Sequence, residues 1–429
     1  MIRLTRSDGL KGELLEEILN RGRLELENVE NDVKGVIEAV RIRGDEALIE
    51  LTQKFDRIKL DPRTMKATQD DIEAAYDFVR PAEVKALRTA ASNIKRFHRM
   101  QLKRIRFEQA GGGVALGVVT RPISTVGIYA PGGRTSYPSS VLMCAIPAKV
   151  AGVDRILVCS PPSPKGRFNP YVLVASDIAG VDEIFCVGGA QAIAAMAYGT
   201  KTIGRVEKIV GPGNIYVASA KQLLSRYVSV DLPAGPSEIL VIADVNAEAE
   251  FIAADLLAQA EHDENASCIL LTDSESIANE VREAIAEMLK TMPRPETAKA
   301  ALENRGLIVV VGDLKEAVML TNQIAPEHLM IMTKNPQSLL REIRNAGLIF
   351  IGQYSPVALG DYSAGTNHVL PTGGYARTYS GLSVRDFLKT ISYVRCSRKG
   401  LKRLAKTTVT LAEIENLPAH SRSITVRGV

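Results

Sequence analysis

Histidine is scarce in this chain, five residues in 429, and four of the five follow residue 260. Imidazole titrates near neutrality and binds transition metals, so these residues are the first place to seek chemistry. In AADLLAQAEHD, Gln259 and His262 stand three apart on an expected helix, so both side chains leave from one face near its C-terminus. That end is expected to point to the edge of the sheet where α/β proteins bind ligands. Asp361 lies in PVALGDYSAGTNH, a Gly-bounded loop after the last expected strand, and His420 closes LAEIENLPAH. Two imidazoles, one carboxylate and one amide oxygen form a mixed N/O set suited to a catalytic zinc, since structural zinc favours closed thiolate sets. The same i,i+3 spacing also describes a solvated helix end.

A second constellation is the adjacent pair Glu327 and His328 in IAPEHLMI, held between a proline and a buried strand. Histidine passes protons in both directions near neutrality, and a neighbouring carboxylate can activate water. A solvated dipeptide in a helix-to-strand loop has the same sequence. Two glycine turns, VGGAQ at 187–191 and GPGN at 211–214, each follow an expected strand and precede a helix, where backbone N–H groups can meet a phosphate. Neither is a GxGxxG fingerprint, so a nucleotide site and a plain tight turn are both open. Cys159, at the end of RILVC, could act as an aldehyde-dehydrogenase-like nucleophile or as buried packing.

The elements that must position these groups begin with a helical stretch over 1–110. Gly44 is expected to separate one helix from the next, and Thr68 with Asp71 to cap another that ends before Pro81. From Gly113 short β-branched runs alternate with helices ending in glycine. VGIYA, RILVCS, EIFCV and EKIVG form one series, and EILVIAD, SCILLT, GLIVVVG, HLMIMT and LIFIG a second. Apolar strands of this kind separated by helices imply two doubly wound parallel sheets covered on both faces. After about residue 380 the strands are expected to stop, leaving a helical tail.

Composition narrows the alternatives. Lys and Arg exceed Asp and Glu by 53 − 49 = +4, too little to imply a nucleic-acid partner, despite the basic helix NIKRFHRMQLKRIRF around His98. No stretch approaches a membrane span or a signal core. The five cysteines (Cys144, Cys159, Cys186, Cys268, Cys396) include no CxxC and are odd in number, which fits buried thiols in a reducing cytoplasm.

Taken together, VGIYAPGG (126–133), VGGAQAIAAMAYGT (187–200), GPGNIYV (211–217), DLPAGPSEILVIAD (231–244), LLAQAEH (256–262), APEHL (325–329), GDYSAGTNHVLPTGG (360–374) and AEIENLPAH (412–420) closely resemble the histidinol dehydrogenase family. The resemblance spans essentially the whole chain, and none of the site positions departs from its pattern. It implies Gln259, His262, Asp361 and His420 as ligands of one zinc per chain, and Glu327 and His328 as the catalytic pair. It also implies that Ser237, His368 and Glu415 contact substrate together with those ligands and His328, and that Tyr129, Gln191 and Asn214 hold NAD. The implied fold is two incomplete Rossmann-like domains of aldehyde-dehydrogenase-like architecture. One takes residues 26–129 and 239–381, the other 130–238, with helical segments at 1–25 and 382–429 exchanged in a homodimer with shared sites. The implied reaction oxidises L-histidinol through L-histidinal to L-histidine with two NAD, in the cytoplasm, as the last step of histidine biosynthesis. A cysteine-dependent aldehyde dehydrogenase, a zinc hydrolase and a non-catalytic binding protein are the rival readings.

Overall fold

Runs such as Glu238–Ala243 (EILVIA) and Ser267–Thr272 (SCILLT), buried at every residue, have no polar face to offer water. They are stable only as interior strands of a sheet covered on both sides. A computed structural model of the protein describes residues 2–10, 12–21, 26–102, 107–132, 137–163 and 168–428. Along the chain the strands are β1 (Arg3–Arg6), β2 (Phe107–Gly111), β3 (Val114–Pro122), β4 (Thr125–Tyr129), β5 (Arg155–Cys159), β6 (Glu183–Phe185) and β7 (Lys208–Val210). There follow β8 (Ser229–Val230), β9 (Glu238–Ala243), β10 (Ser267–Thr272), β11 (Gly306–Val310), β12 (His328–Met332), β13 (Leu348–Ile351) and β14 (Leu388–Cys396).

Two parallel sheets result, ordered β6-β5-β4-β7-β8 and β1-β11-β10-β9-β12-β13. Numbered by appearance within its own series, each reads 3-2-1-4-5, the Rossmann order without its sixth strand, and β1 is added outside β11 in the second. The expected pair of incomplete Rossmann-like units is therefore present. A third sheet, β14-β3-β2, is antiparallel.

Three boundaries differ from those expected. The helices between residues 27 and 101, and β4, belong with the five-stranded sheet, while β2 and β3 form the antiparallel sheet with β14. Val33, Val40 and Leu48 of the helices Glu27–Arg43 and Asp45–Asp56 share a core with Phe185 and Ile193. Ile94 of the helix Pro81–Gln101 packs with Val126 and Val141, and β4 itself lies at the centre of that sheet. These helices supply the cover that a parallel sheet needs. The N-terminal segment is not purely helical, because β1 pairs in parallel with β11 from Arg3↔Leu307 to Arg6↔Val310. The C-terminal tail is not purely helical either. It opens with nine residues of β14 paired antiparallel to β3, from Leu388↔Pro122 to Cys396↔Val114. β14 is mostly exposed, so no alternation of apolar and polar residues marks it in the sequence. Local expectations fare better: Thr68 and Asp71 form a capping box on the helix Gln69–Phe78, and Pro81 is the first residue of the next helix.

The tail is tied down where the helix Arg398–Ile414 begins. Ser397 caps Gly400 N–H and also donates its hydroxyl to the Gly113 carbonyl, 3.0 Å away. A Cβ at Gly400 would stand 2.3 Å from that carbonyl oxygen. Gly400→Val is expected to lower stability by about 1–3 kcal/mol through this overlap. Urea unfolding measures it, and wild-type stability would show that the tail docks without this contact.

Candidate active site between the two parallel sheets

The site grows from the amino ends of two neighbouring strands. β9 and β12 pair with Ile239 opposite His328, which sets Glu238 beside Glu327. Backbone N–H groups at a strand's amino end need acceptors just as those of a helix do. Here the two acids serve each other. Glu238 N–H donates to Glu327 Oε2 at 2.8 Å, and Glu327 N–H donates to Glu238 Oε2 at 3.3 Å. The Glu327 carbonyl accepts from Leu348 N–H at 2.9 Å. The Nδ1 of His328 lies 3.0 Å from the Glu238 carbonyl oxygen, which can only accept, so Nδ1 carries the proton. In the neutral ring Nε2 then keeps its lone pair. That atom is buried with no hydrogen-bond partner, 3.5 Å from Asp361 Oδ1.

Asp361 comes from the short helix Val357–Tyr362, which packs on the helix Ala249–Ala260. Gln259, 2% exposed, lies in the last turn of the latter helix, and exposed His262 follows just past its end. Asp255, one turn before Gln259, accepts Val357 N–H at 3.2 Å and so ties the two helices together. His368 donates or accepts at both nitrogens: Nδ1 is 2.9 Å from the Asp361 carbonyl, and Nε2 is 3.4 Å from Ser140 Oγ. Since a carbonyl only accepts, Nδ1 of His368 is its donor.

Ser140 lies in the first turn of the helix Pro138–Ala151, which follows β4. The carboxyl end of the five-stranded sheet therefore faces the amino end of the six-stranded one, and the candidate site lies in the cleft between them. The expectation that Gln259 and His262 point to the ligand-binding carboxyl edge of their own sheet is thus corrected. A crossover helix returns the chain to where the next strand starts, so its C-terminus sits at the strands' amino ends.

Burial disfavours the His328 imidazolium, but the Glu327 and Asp361 carboxylates outweigh it and hold the pKa well above the ordinary histidine value. Burial raises Glu327, with His328 pulling the other way. Burial would also raise Asp361, yet contact with His328 and the nearby His368 and His262 bring it below the ordinary carboxylate value. Burial lowers His368 and pushes Asp255 up to about 6. An anionic carboxylate, an imidazole and an amide thus stand at one end of the cleft. They could form three donors of a mixed N/O metal site, with the buried, unpartnered Nε2 of His328 close by.

Not every expected residue joins them. Ser237 is partly buried beside Glu238 at the start of β9, and its carbonyl accepts from Ser267 N–H at 3.0 Å. Glu415 and His420 are exposed on the C-terminal tail, whose two helices pack on each other. Among the described residues no three His, Cys, Asp or Glu converge on a metal position. On the other side of the cleft, Tyr129 ends β4 and Gly211 follows β7, at the point where the strand order reverses. Gly211 has φ +114°, and a Cβ there would stand 2.2 Å from the Tyr129 carbonyl oxygen. Asp231 accepts Gly211 N–H at 2.7 Å and Lys221 donates to its carbonyl at 3.0 Å, which fixes the GPGN turn. Asn214 caps the helix Ile215–Leu224. Gln191 is 2% exposed in the helix Gly189–Tyr198, and the Tyr129 hydroxyl accepts Gly189 N–H at 3.1 Å. Burial pushes that phenol up to about 12.

Three residues that the sequence does not single out organise the site: Glu238, Arg21 and Asp255. Arg21 Nη2 donates to Glu238 Oε2 at 2.7 Å, with both side chains almost wholly buried. Such charges read from sequence as solvated, and nothing in the sequence signals a pairing across 217 positions.

The cysteines divide four to one. Cys144, Cys159, Cys186 and Cys268 are buried, but Cys396 is exposed, contrary to the expectation that all five thiols are buried. Burial pushes the Cys159 thiol far above its ordinary value, so it is not a thiolate at neutral pH. No helix among the described residues is long and apolar enough to cross a membrane.

Two Rossmann-ordered sheets with a buried acid–base pair in the cleft between them define a doubly wound α/β protein built as an enzyme. Comparison with known proteins gives the family. A model of the histidinol dehydrogenase family matches residues 19–428. Histidinol dehydrogenase of Methanothermobacter thermautotrophicus is 50% identical over 409 residues, 95% of this chain and 96% of that one. That of Clostridium acetobutylicum is 47% identical over 428 residues, 100% and 99% of the two chains. The crystal structure of histidinol dehydrogenase from Elizabethkingia anophelis superposes with a TM-score of 0.94 at 38% identity, over 99% of this chain and 98% of that one. The chain belongs to the histidinol dehydrogenase family.

A thiol reagent acting on the native protein is expected to modify Cys396 quickly and leave the four buried thiols until unfolding, with activity retained. Activity lost in step with labelling of Cys159 would revive a cysteine nucleophile.

Proposed function

We propose that the protein oxidises L-histidinol to L-histidine by way of L-histidinal, a four-electron conversion that uses one zinc ion per chain and two NAD, within the cytoplasm. The observation that carries this reading is the His328 ring beside Glu327, whose Nδ1–H is spent on the Glu238 carbonyl, so that the buried, unpartnered Nε2 is the nitrogen left to exchange a proton. The amide, imidazole and anionic carboxylate of Gln259, His262 and Asp361 fit a zinc ion by donor type, with His420 of the partner subunit as fourth ligand. The glycine turns before two helices, with Tyr129, Gln191 and Asn214, suit a dinucleotide at the switch point of the five-stranded sheet. Bound zinc would supply charge to anchor and orient the substrate's amine and imidazole nitrogens, and NAD a two-electron acceptor for each oxidation.

The remaining chemistry belongs to side chains. His328 takes the proton of the alcohol as hydride departs, giving the aldehyde. Glu327, its proton affinity raised by burial, takes a proton from water as that water adds to the aldehyde carbon, while His328 returns its proton to the carbonyl oxygen, giving the hydrate. His328 then accepts the hydrate's proton as the second hydride leaves, and the carboxylate remains. Ser237 and His368 flank the substrate from one chain, and Glu415 of the partner subunit contacts it from the other.

A base used in both oxidations slows both by about 10²–10⁴-fold when removed. His328→Ala is therefore expected to impair histidinol and histidinal oxidation alike, and Glu327→Gln to impair histidinal oxidation more. Equal damage by Glu327→Gln to both half-reactions would contradict this division of roles.

The exposed apolar residues of the tail support a homodimer in which that segment reaches the neighbouring site. Val394 is 70% exposed and Ile414 74%, and apolar surface of this kind is stable when a second copy covers it. The variants His262→Asn and His420→Asn should each bind zinc weakly and be inactive. When their subunits are allowed to exchange, half the dimers are mixed and half of their sites intact. About a quarter of wild-type zinc and activity should then return together. No recovery, with exchange confirmed, would place all four ligands in one chain.

A further inference from the structure

We propose that the buried Arg21–Glu238 ion pair is a positioning device for the acid–base pair, fixing the backbone turn that carries Glu327 and His328. The inference rests on the catalytic reading of those two residues. The helix Leu314–Ile324 ends in Ala325, a non-glycine residue at φ +51°, and the chain must then turn through Pro326 into β12. A strained residue of that kind persists only where its surroundings hold it.

Arg21 holds both sides of the turn. Its Nη2 donates to the Ile324 carbonyl at 3.0 Å, which places a positive charge at the helix C-terminus, and to Glu238 Oε2 at 2.7 Å. The same Glu238 oxygen accepts Glu327 N–H on the far side of the turn. Its other oxygen accepts Gly373 N–H at 2.6 Å, which anchors the loop that follows Asp361 and His368. The guanidinium is itself fixed, since Nη1 donates to the Ile18 carbonyl at 2.9 Å and the Arg21 carbonyl accepts from Arg305. The side-chain hydrogen bonds of Arg21 go to Glu238 and to the Ile18 and Ile324 carbonyls, none of them a proposed substrate contact, so its effect passes through Glu327 and His328. A displacement of about 1 Å at reacting groups costs on the order of 10²-fold in rate, whereas substrate affinity, set by the donor cluster, should change little.

The test uses full-length, zinc-loaded protein. Wild type, Arg21→Met, Arg21→Lys and His328→Ala are compared for kcat and KM with histidinol and with histidinal, zinc content and Tm. Arg21→Met is expected to lose about 10-fold or more in kcat for both substrates, with KM within about 3-fold and zinc content unchanged. Arg21→Lys keeps the charge but not the planar fork, and should recover some of the loss. A lowered Tm with wild-type kcat per zinc site in Arg21→Met would mean the pair serves stability alone, and would overturn the proposal. If Arg21→Met does not fold, Arg21→Lys decides: reduced kcat at unchanged KM supports positioning, and wild-type kcat overturns it. If wild type fails to reduce NAD with histidinol, or His328→Ala retains full activity, the catalytic reading itself falls. An active wild type with an unaffected Arg21 variant removes the positioning role only.

Discussion

The exchange of hydrogen bonds between Glu238 and Glu327 is the constraint around which the site is built. Two acids at the amino ends of adjacent parallel strands would repel if both were fully charged and unpaired. Each instead satisfies the other's backbone N–H. Arg21 neutralises one, and burial with His328 adjoining sets the proton affinity of the other. The same backbone fixes the histidine, because the Glu238 carbonyl selects which ring nitrogen carries hydrogen. One residue of β9 thus sets both the tautomer and the direction of the His328 ring.

Sheet orientation then decides what can meet this pair. The amino end of one sheet faces the carboxyl end of the other, so the acid–base pair looks across a cleft at the glycine turns of the five-stranded unit. The five-stranded side of that space is the usual ligand-binding edge of a doubly wound sheet, with helix N-termini and the strand reversal beside Tyr129. The acid–base side uses the opposite edge, where strand N–H groups and helix C-termini gather. One fold used twice with the same strand order thereby presents two chemically different edges to a shared space.

The sequence exposes the chemistry better than its setting. Gln259, His262, Glu327, His328 and Asp361 are candidates by type and spacing, set apart from solvated alternatives only by the family resemblance, and the structure brings them toward one end of the cleft. The two parallel sheets are equally legible, because the strands in their cores are short apolar runs separated by helices. Direction is not legible at the helix Ala249–Ala260, where the route of the crossover, not the helix itself, determines which edge its C-terminus reaches. β14 is hidden because both of its faces are largely exposed, and β1 because four residues at an edge carry little pattern. Glu238 and Arg21 are invisible for a different reason: charge is ordinarily a mark of the surface, and only tertiary contact turns these two inward.

The location of Arg21 bears on how the protein comes into being. Glu238, Ile324 and Arg305, which hold it, are synthesised hundreds of residues after it. β1 likewise waits for β11. At about 5–20 residues per second, the N-terminal segment spends on the order of 15–60 s without its partners. All five strands of the five-stranded sheet are made by residue 230 and can pair during that interval, although Val369, Leu382 and Phe387 join its core only later. Although made before the other strands of the six-stranded sheet, β1 can join it only after β11 has emerged, so the Glu327–His328 turn and the residue that anchors it meet late in synthesis.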